Sequence, residues 1–220
     1  MQRDTQGLIE QLAADAVPVR PLASPLQRAS RWLAVVCLAA LSLLLMLGWN
    51  GTAPQDLAQP GGDWAWWGSL VTGVLAAYAV FQVSVPGRSA TWAWLPLPAA
   101  MAWFAGMGWG CLALARTGAD AAAASAGGWH CGLVITLVSA PILLVTLVLV
   151  RHAGVLRPAA TATLAMLSAT GLSSAAVSMI HGHESAWMTL AWHGGAALLL
   201  SAAAFLAGRP LLAWIGYRKA

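Results

Sequence analysis

Apolar residues run through this chain in long unbroken stretches and do not alternate with polar ones. Six stretches stand out: Trp32–Trp49, Trp66–Val85, Trp92–Leu114, Trp129–Val150, Ala159–Ile180 and Ala186–Ala207. None contains Asp, Glu, Lys or Arg, and each approaches the roughly 20 apolar residues that a helix needs to cross a bilayer. The breakers fall between them: Gly51, Pro54, Pro60, Gly61 and Gly62, then Pro86 and Gly87, then Gly118, Gly127 and Gly128, then Gly154 and Pro158, then Gly182. A bilayer core has no water to satisfy backbone amides, so segments of this kind fold as helices. The alternating polarity of a membrane β-barrel strand is absent. The expected fold is all-α, a polytopic membrane protein built as a six-helix transmembrane bundle over residues 32–207. A 31-residue N-terminal segment (1–31) and a short C-terminal tail (208–220) flank it.

The N-terminal segment has a different period. Leu8, Ile9, Leu12, Ala13 and Ala16 fall on one face of a helix, with Gln6, Glu10, Gln11 and Asp15 on the other. Asp4 or Thr5 can cap its start, and Pro18-Val-Arg-Pro-Leu ends it. An extended tether to the first membrane helix is expected after that. A helix of about three turns is marginal alone in water, so its apolar face needs a surface. That surface is either the bilayer and bundle, or a groove on a soluble partner. Asp4, Glu10 and Asp15 weigh against a membrane surface, where Lys and Arg are expected.

Composition narrows the class. Sixty per cent of the 220 residues are hydrophobic and 8% charged, against about 25% charged in soluble domains. Mean hydropathy is +0.72. A soluble enzyme, a disordered chain and a nucleic-acid-binding domain are all disfavoured. The polar N-terminus has no apolar core like that of a signal peptide, so the first apolar segment is expected to stay as an anchor. Ten of the eleven basic residues fall on one side of the predicted membrane: Arg3, Arg20, Arg28, Arg31, Arg88, Arg151, Arg157, Arg209, Arg218 and Lys219. Arg116 stands alone on the other, beside Asp56, Asp63, Asp120 and Glu184. Positive loops face the cytoplasm, so both termini are expected there. Most of the thirteen tryptophans lie at segment ends, where an amphipathic ring meets the headgroups. Gly106, Gly108, Gly110, Gly194 and Gly195 are expected to let helices approach closely. Pro96, Pro98 and Pro141 are expected to start or kink helices.

Soft and titratable side chains gather toward the outer face: Cys111, His130, Cys131, His181, His183 and His193. Thiolate and imidazole suit copper, zinc and similar metals. None has the tight spacing of a zinc finger, so a metal site requires three helix ends to converge. The bland reading is that Cys111 and Cys131 are small core residues, that His181 and His183 are solvated, and that His193 makes a structural hydrogen bond. Cys37 lies roughly 20 Å in depth from Cys131, too far to bridge. Cys111 and Cys131 share a depth, which leaves a disulfide between them open.

Several short motifs recur here in a telling order. They are Asp4…Leu8-Ile-x-x-Leu12-Ala-x-Asp15-x-x-Pro18-Val19-Arg20, then Val85-Pro-Gly-Arg88, Gly110-Cys111, Cys131 opening the fourth segment, Leu156-Arg-Pro158 and Trp192-His193. With these the chain resembles the NrsF family, six-helix anti-sigma factors named as negative regulators of sigma F. The resemblance spans nearly the whole sequence. It implies a bacterial inner-membrane protein that holds an extracytoplasmic-function sigma factor and releases it under metal or oxidative stress. It implies that Leu8, Ile9, Leu12, Ala13, Pro18, Val19 and Arg20 contact that partner, and that Cys131 is a sensing cysteine, with Cys111, His181 or His193 as its companion. No cofactor is then required, beyond a regulatory soft metal such as copper, and no nucleic acid is bound directly.

Other classes fit less well. No charged residue sits mid-membrane, which disfavours an ion-coupled transporter. Walker, Gly-x-Ser-x-Gly and His-Glu-x-x-His sequences are absent, and no enzyme is expected. The rival is a membrane redox protein holding haem between histidines or exchanging electrons between cysteines and a quinone.

Overall fold

The computed structural model describes residues 5–16, 22–48, 53–117, 129–180 and 185–216, and among them every regular element is helical. An isolated helix α1 (Thr5–Ala14) comes first, followed by α2 (Pro25–Leu47) and a short α3 (Ala53–Leu57). Helix α4 (Gly62–Val83) leads through a 3₁₀ turn at Ala90–Trp94 to α5 (Leu97–Arg116). The rest is α6 (Trp129–Val150), α7 (Pro158–Ile180) and α8 (Ala186–Trp214). Six helices are long and apolar enough to cross a membrane. They run alternately between a terminal end, where α2 begins and α8 finishes, and a distal end carrying the first, third and fifth connections.

Helix boundaries follow local chemistry. α2 begins seven residues before Trp32, because Ser24 accepts the Gln27 amide and Pro25 occupies the first turn. Arg28 and Arg31 therefore lie inside the helix. Thr5 is already helical, and Asp4, the other expected cap of α1, lies outside the described residues. α8 continues past Ala207 through Pro210 and stops where Gly216 takes a left-handed φ of 87°. Pro141 sits inside α6, whereas Pro96 caps α5 and Pro98 opens its first turn.

α7 is the centre of the bundle. It packs on α4, α6 and α8, and 72% of its most apolar window is buried, against 11% for α2. Lipid is as apolar as a leucine, so helices associate here through close backbone approach and hydrogen bonds. Ser168 Oγ donates to the Gly73 carbonyl at 2.8 Å, and Ser139 meets Ser173 at 3.2 Å. A Cβ on Gly171 would lie 2.7 Å from the Ser69 carbonyl oxygen, so only glycine fits that crossing. Gly106 and Gly110 serve as expected, against Gly61 and Pro60, but Gly108 and Gly195 face open space.

At the terminal end, arginines bond carbonyls at the margins of the bundle. Arg28 Nη2 donates to Leu149 O at 2.9 Å, Arg151 to Ile215 O at 3.3 Å, and Arg157 to Arg88 O at 3.1 Å. Cations at helix C-termini satisfy orphan carbonyls and complement the dipole.

The packing predicts the outcome of a glycine pair. Gly171→Ala should lower stability by about 1–3 kcal/mol through overpacking, while Gly108→Ala should stay within about 0.5 kcal/mol. Thermal unfolding in nanodiscs checks both. Equal midpoints would mean that the α4–α7 crossing is not tight.

Candidate functional site

α1 carries the first candidate surface. No residue in it is buried, and Leu8, Ile9 and Leu12 are 55%, 54% and 63% exposed. Ala13 is exposed as well. An apolar stripe on water costs free energy that only a partner or a membrane removes. Pro18, Val19 and Arg20 lie outside the described residues.

The second surface lies at the distal end, around the start of α8. Ser185 caps this helix by accepting the Met188 amide at 3.3 Å. Residues Thr189–Gly194 then form a π-helical turn. Such turns insert an extra residue into a helix and occur mostly at functional sites.

Three neighbours grip this stretch. On α5, Cys111 is buried and its Sγ donates to the Ala186 carbonyl at 3.3 Å. On α6, Gly132 faces the Trp192 ring so closely that a Cβ there would sit 2.7 Å from it; Cys131, buried, is its neighbour. On α7, Ser174 Oγ meets His193 Nδ1 at 2.5 Å. His193 is only 1% exposed. Trp192 and His193, adjacent in sequence, thus address different helices.

Beside the grip lies a cavity of about 80 Å³ among α4, α5, α7, α8 and the first distal connection. One water needs about 10–15 Å³ of such space, so several fit. Its polar wall includes Ser174, Ser178, Thr189 and His193, and among the described residues Asp56 is the one charged side chain lining it. Trp66 braces the α4 side, its Nε1 donating to Ala175 O at 3.0 Å.

The expected outer cluster is only partly assembled. Cys111 bonds the start of α8, the helix that carries His193, and Cys131 precedes the glycine that packs on Trp192. His130 is exposed at the start of α6, and His181 and His183 lie outside the described residues. Among the described residues no three His, Cys, Asp or Glu converge to hold a metal ion. No disulfide joins Cys111 to Cys131: α5 and α6 each pack on the start of α8 and scarcely on each other. Cys37 is exposed on α2, away from this region. A haem between two histidines gains no support, because His193 is buried while the other described histidines, His130 and His152, are exposed.

Sequence reasoning singles out His193 but misses Ser174, the π-helical turn and the cavity. Serines in a membrane helix are a usable signal, since each hydroxyl there needs a bond.

The family match covers residues 12–214, from the second half of α1 to the last residue of α8. The chain belongs to the NrsF family. The family is described as a negative regulator of sigma F, so this NrsF protein is a regulator acting on a sigma factor, of a kind that is not normally enzymatic. No curated protein and no solved structure matches the chain. Leu8 and Ile9 precede the matched region, so their exposure is an observation independent of the family.

Ser174→Ala removes the bond to a buried imidazole and should cost about 1–2 kcal/mol, lowering the unfolding midpoint in nanodiscs. An unchanged midpoint would mean the bond contributes nothing to holding α8.

Proposed function

We propose that this chain is an anti-sigma factor of the bacterial inner membrane, with both termini in the cytoplasm, that captures an extracytoplasmic-function sigma factor through its N-terminal segment. The observation that carries this reading is α1: a short amphipathic helix with every residue unburied and its leucines and isoleucine facing outward. Helix-in-groove binding uses such i, i+1, i+4 anchors. Leu8, Ile9, Leu12 and Ala13 enter the partner's groove, and Pro18, Val19 and Arg20 extend the contact. Capture hides the surfaces by which sigma meets polymerase. The family description supports the sigma partner, and the ten-to-one division of basic residues supports the orientation.

Release answers metal or oxidative stress at the distal end, which on this topology faces the periplasm. Cys131 and Cys111 are the sensing thiols, with His130, His181, His183 and His193 as further donors to a soft metal such as copper. A thiolate both binds such metals and oxidises. Support comes from the grip on Ala186–Gly194: a change at Cys111 alters the bond that seats α8. A ligand shifts two states only by its differential affinity, and couplings of about 1–3 kcal/mol are typical.

Replacing Leu8 and Leu12 by Asp should weaken sigma binding at least ~30-fold, the effect of losing about 2 kcal/mol or more at buried anchors, with membrane protein levels unchanged. Persistent repression in that variant would remove α1 from the interface. Cys131→Ser should keep repression and blunt induction by copper, cadmium or peroxide, with Cys37→Ser leaving both intact. Full induction in a Cys111, Cys131 double serine variant would rule out a thiol sensor. An alkaline phosphatase fused after Ala220 should be inactive, and high activity there would reverse the topology.

A further inference from the structure

The base of α2 is the first part of the membrane bundle to follow the capturing segment in the chain, and it is where this helix is buried most deeply against the others. Helical spacing puts Arg28, Ala29 and Trp32 on one side of α2. Ala29 and Trp32 are the buried residues among those described in this helix. Toward the distal end Val35, Leu38, Leu41 and Leu45 are exposed from the bundle. α2 is therefore seated most deeply in its first turns, and beyond them it keeps only a half-buried face of Leu33, Val36, Ala40 and Leu44 toward the bundle.

Three interactions make that joint. The Trp32 ring stands edge-on to Phe81 of α4 at 6.5 Å, and the Arg28 guanidinium lies over the same ring, 5.1 Å from its centroid. Arg28 Nη2 donates to Leu149 O at 2.9 Å. Leu149 is the penultimate residue of α6, so its carbonyl is one of the last four, without an intrahelical donor and at the negative end of the dipole. A charge-assisted bond is stronger and more directional than a neutral one. Arg28 Nη1 is buried without a hydrogen-bond partner, so the guanidinium is held here by that carbonyl and that ring, and a shift of either is felt at once.

The carbonyl belongs to a helix suited to move. α6 places Cys131 one turn from its distal end and Leu149 O at its terminal end, with Pro141 between them. Proline removes the amide that would bond Leu137 O and allows the two halves to bend.

We propose that Arg28 is a positioning residue for sigma release: it latches the base of α2 to the end of α6, and bending of α6 at Pro141 withdraws the Leu149 carbonyl and frees α2 together with the segment ahead of it. This rests on the reading of α1 as the capturing element. In the resting protein the latch holds the base of α2, from which the capturing segment extends, at a fixed place in the bundle. In the released state the Arg28 guanidinium turns toward headgroups, α2 swings, and the partner loses its seat.

The test has two arms, both on the full chain in nanodiscs. The first needs neither partner nor inducer. Spin labels on Leu26→Cys and Leu156→Cys, with the native cysteines changed to serine, report the α2-to-bundle distance. Arg28→Met should broaden that distribution at least twofold, and Arg28→Lys should restore most of its sharpness. A distribution unchanged in Arg28→Met overturns the latch. The second arm keeps the native cysteines and titrates the sigma factor with and without cadmium chloride. The parent should bind at least tenfold more weakly with cadmium. Arg28→Met should bind at least tenfold more weakly than the parent even without cadmium and change less than twofold on adding it, with Arg28→Lys intermediate; capture by Arg28→Met as tight as the parent's overturns the proposal. Cadmium-driven release as large in Arg28→Met as in the parent overturns the proposal, as does loss of sigma capture in Arg28→Met and Arg28→Lys alike. Phe81→Leu, which removes the ring and keeps apolar volume, should weaken the cadmium response in the same direction, and provides the reading where Arg28→Met unfolds. A parent that ignores the sigma factor or cadmium counts against the function proposed above; the distance distributions then decide the latch alone.

Discussion

A leucine gains little by leaving lipid for protein, so the helices of this chain are held wherever two backbones come close enough for a hydroxyl or a carbonyl to reach across. α7 is built for that. Its sequence, PAATATLAMLSATGLSSAAVSMI, alternates small and hydroxylated residues along nearly its whole length. Ser168 reaches Gly73 O, Ser173 meets Ser139, and Ser174 meets His193. Each bond ties α7 to a different neighbour: α4, α6 and α8. The three partners are consequently arranged around it, and the distal grip on α8 exists because α7 fixes one side of it.

Much of this architecture is legible in the amino-acid sequence. Six apolar runs without a charge translate directly into six helices, since a bilayer leaves the backbone no alternative. Helix ends are less legible. A cap such as Ser24-Pro25 lies outside the apolar run that defines the segment, and Pro210 reads as a stop although only one late amide is lost. Which glycines matter is not legible: Gly106 and Gly108 are two residues apart on one helix, and only the facing backbone distinguishes them.

The site shows the same division. Hydropathy and spacing reveal that His193 is an imidazole within an apolar segment and must bond to something. They do not reveal that Ser174 is its partner, because nineteen residues and a connection separate the two. The cysteines illustrate the limit from the other side. Similar depth suggests a pair, but rotation about the helix axis is not encoded in depth, and α5 and α6 both turn toward α8. The connection at 181–184 carries two of the candidate histidines outside the described residues, and its chemistry stays at the level of sequence.

The contrast between α7 and α2 bears on how a membrane bundle can act on a soluble partner. A helix held along its full length by hydrogen bonds transmits no large movement, because every bond must break together. One held near its base can pivot when a single contact changes. α2 is held far less firmly than α7 and most deeply in its first turns, at Ala29 and Trp32, and the segment ahead of it presents an apolar stripe with no buried residue. Burying that stripe on the bundle would have stabilised the chain by about 25 cal/mol for each Å² removed from water. Leaving it exposed keeps that free energy available for binding something else. On the capture proposed above, the exposed helix and the less firmly seated α2 belong to one arrangement, with α7 and its bonded neighbours as its rigid reference.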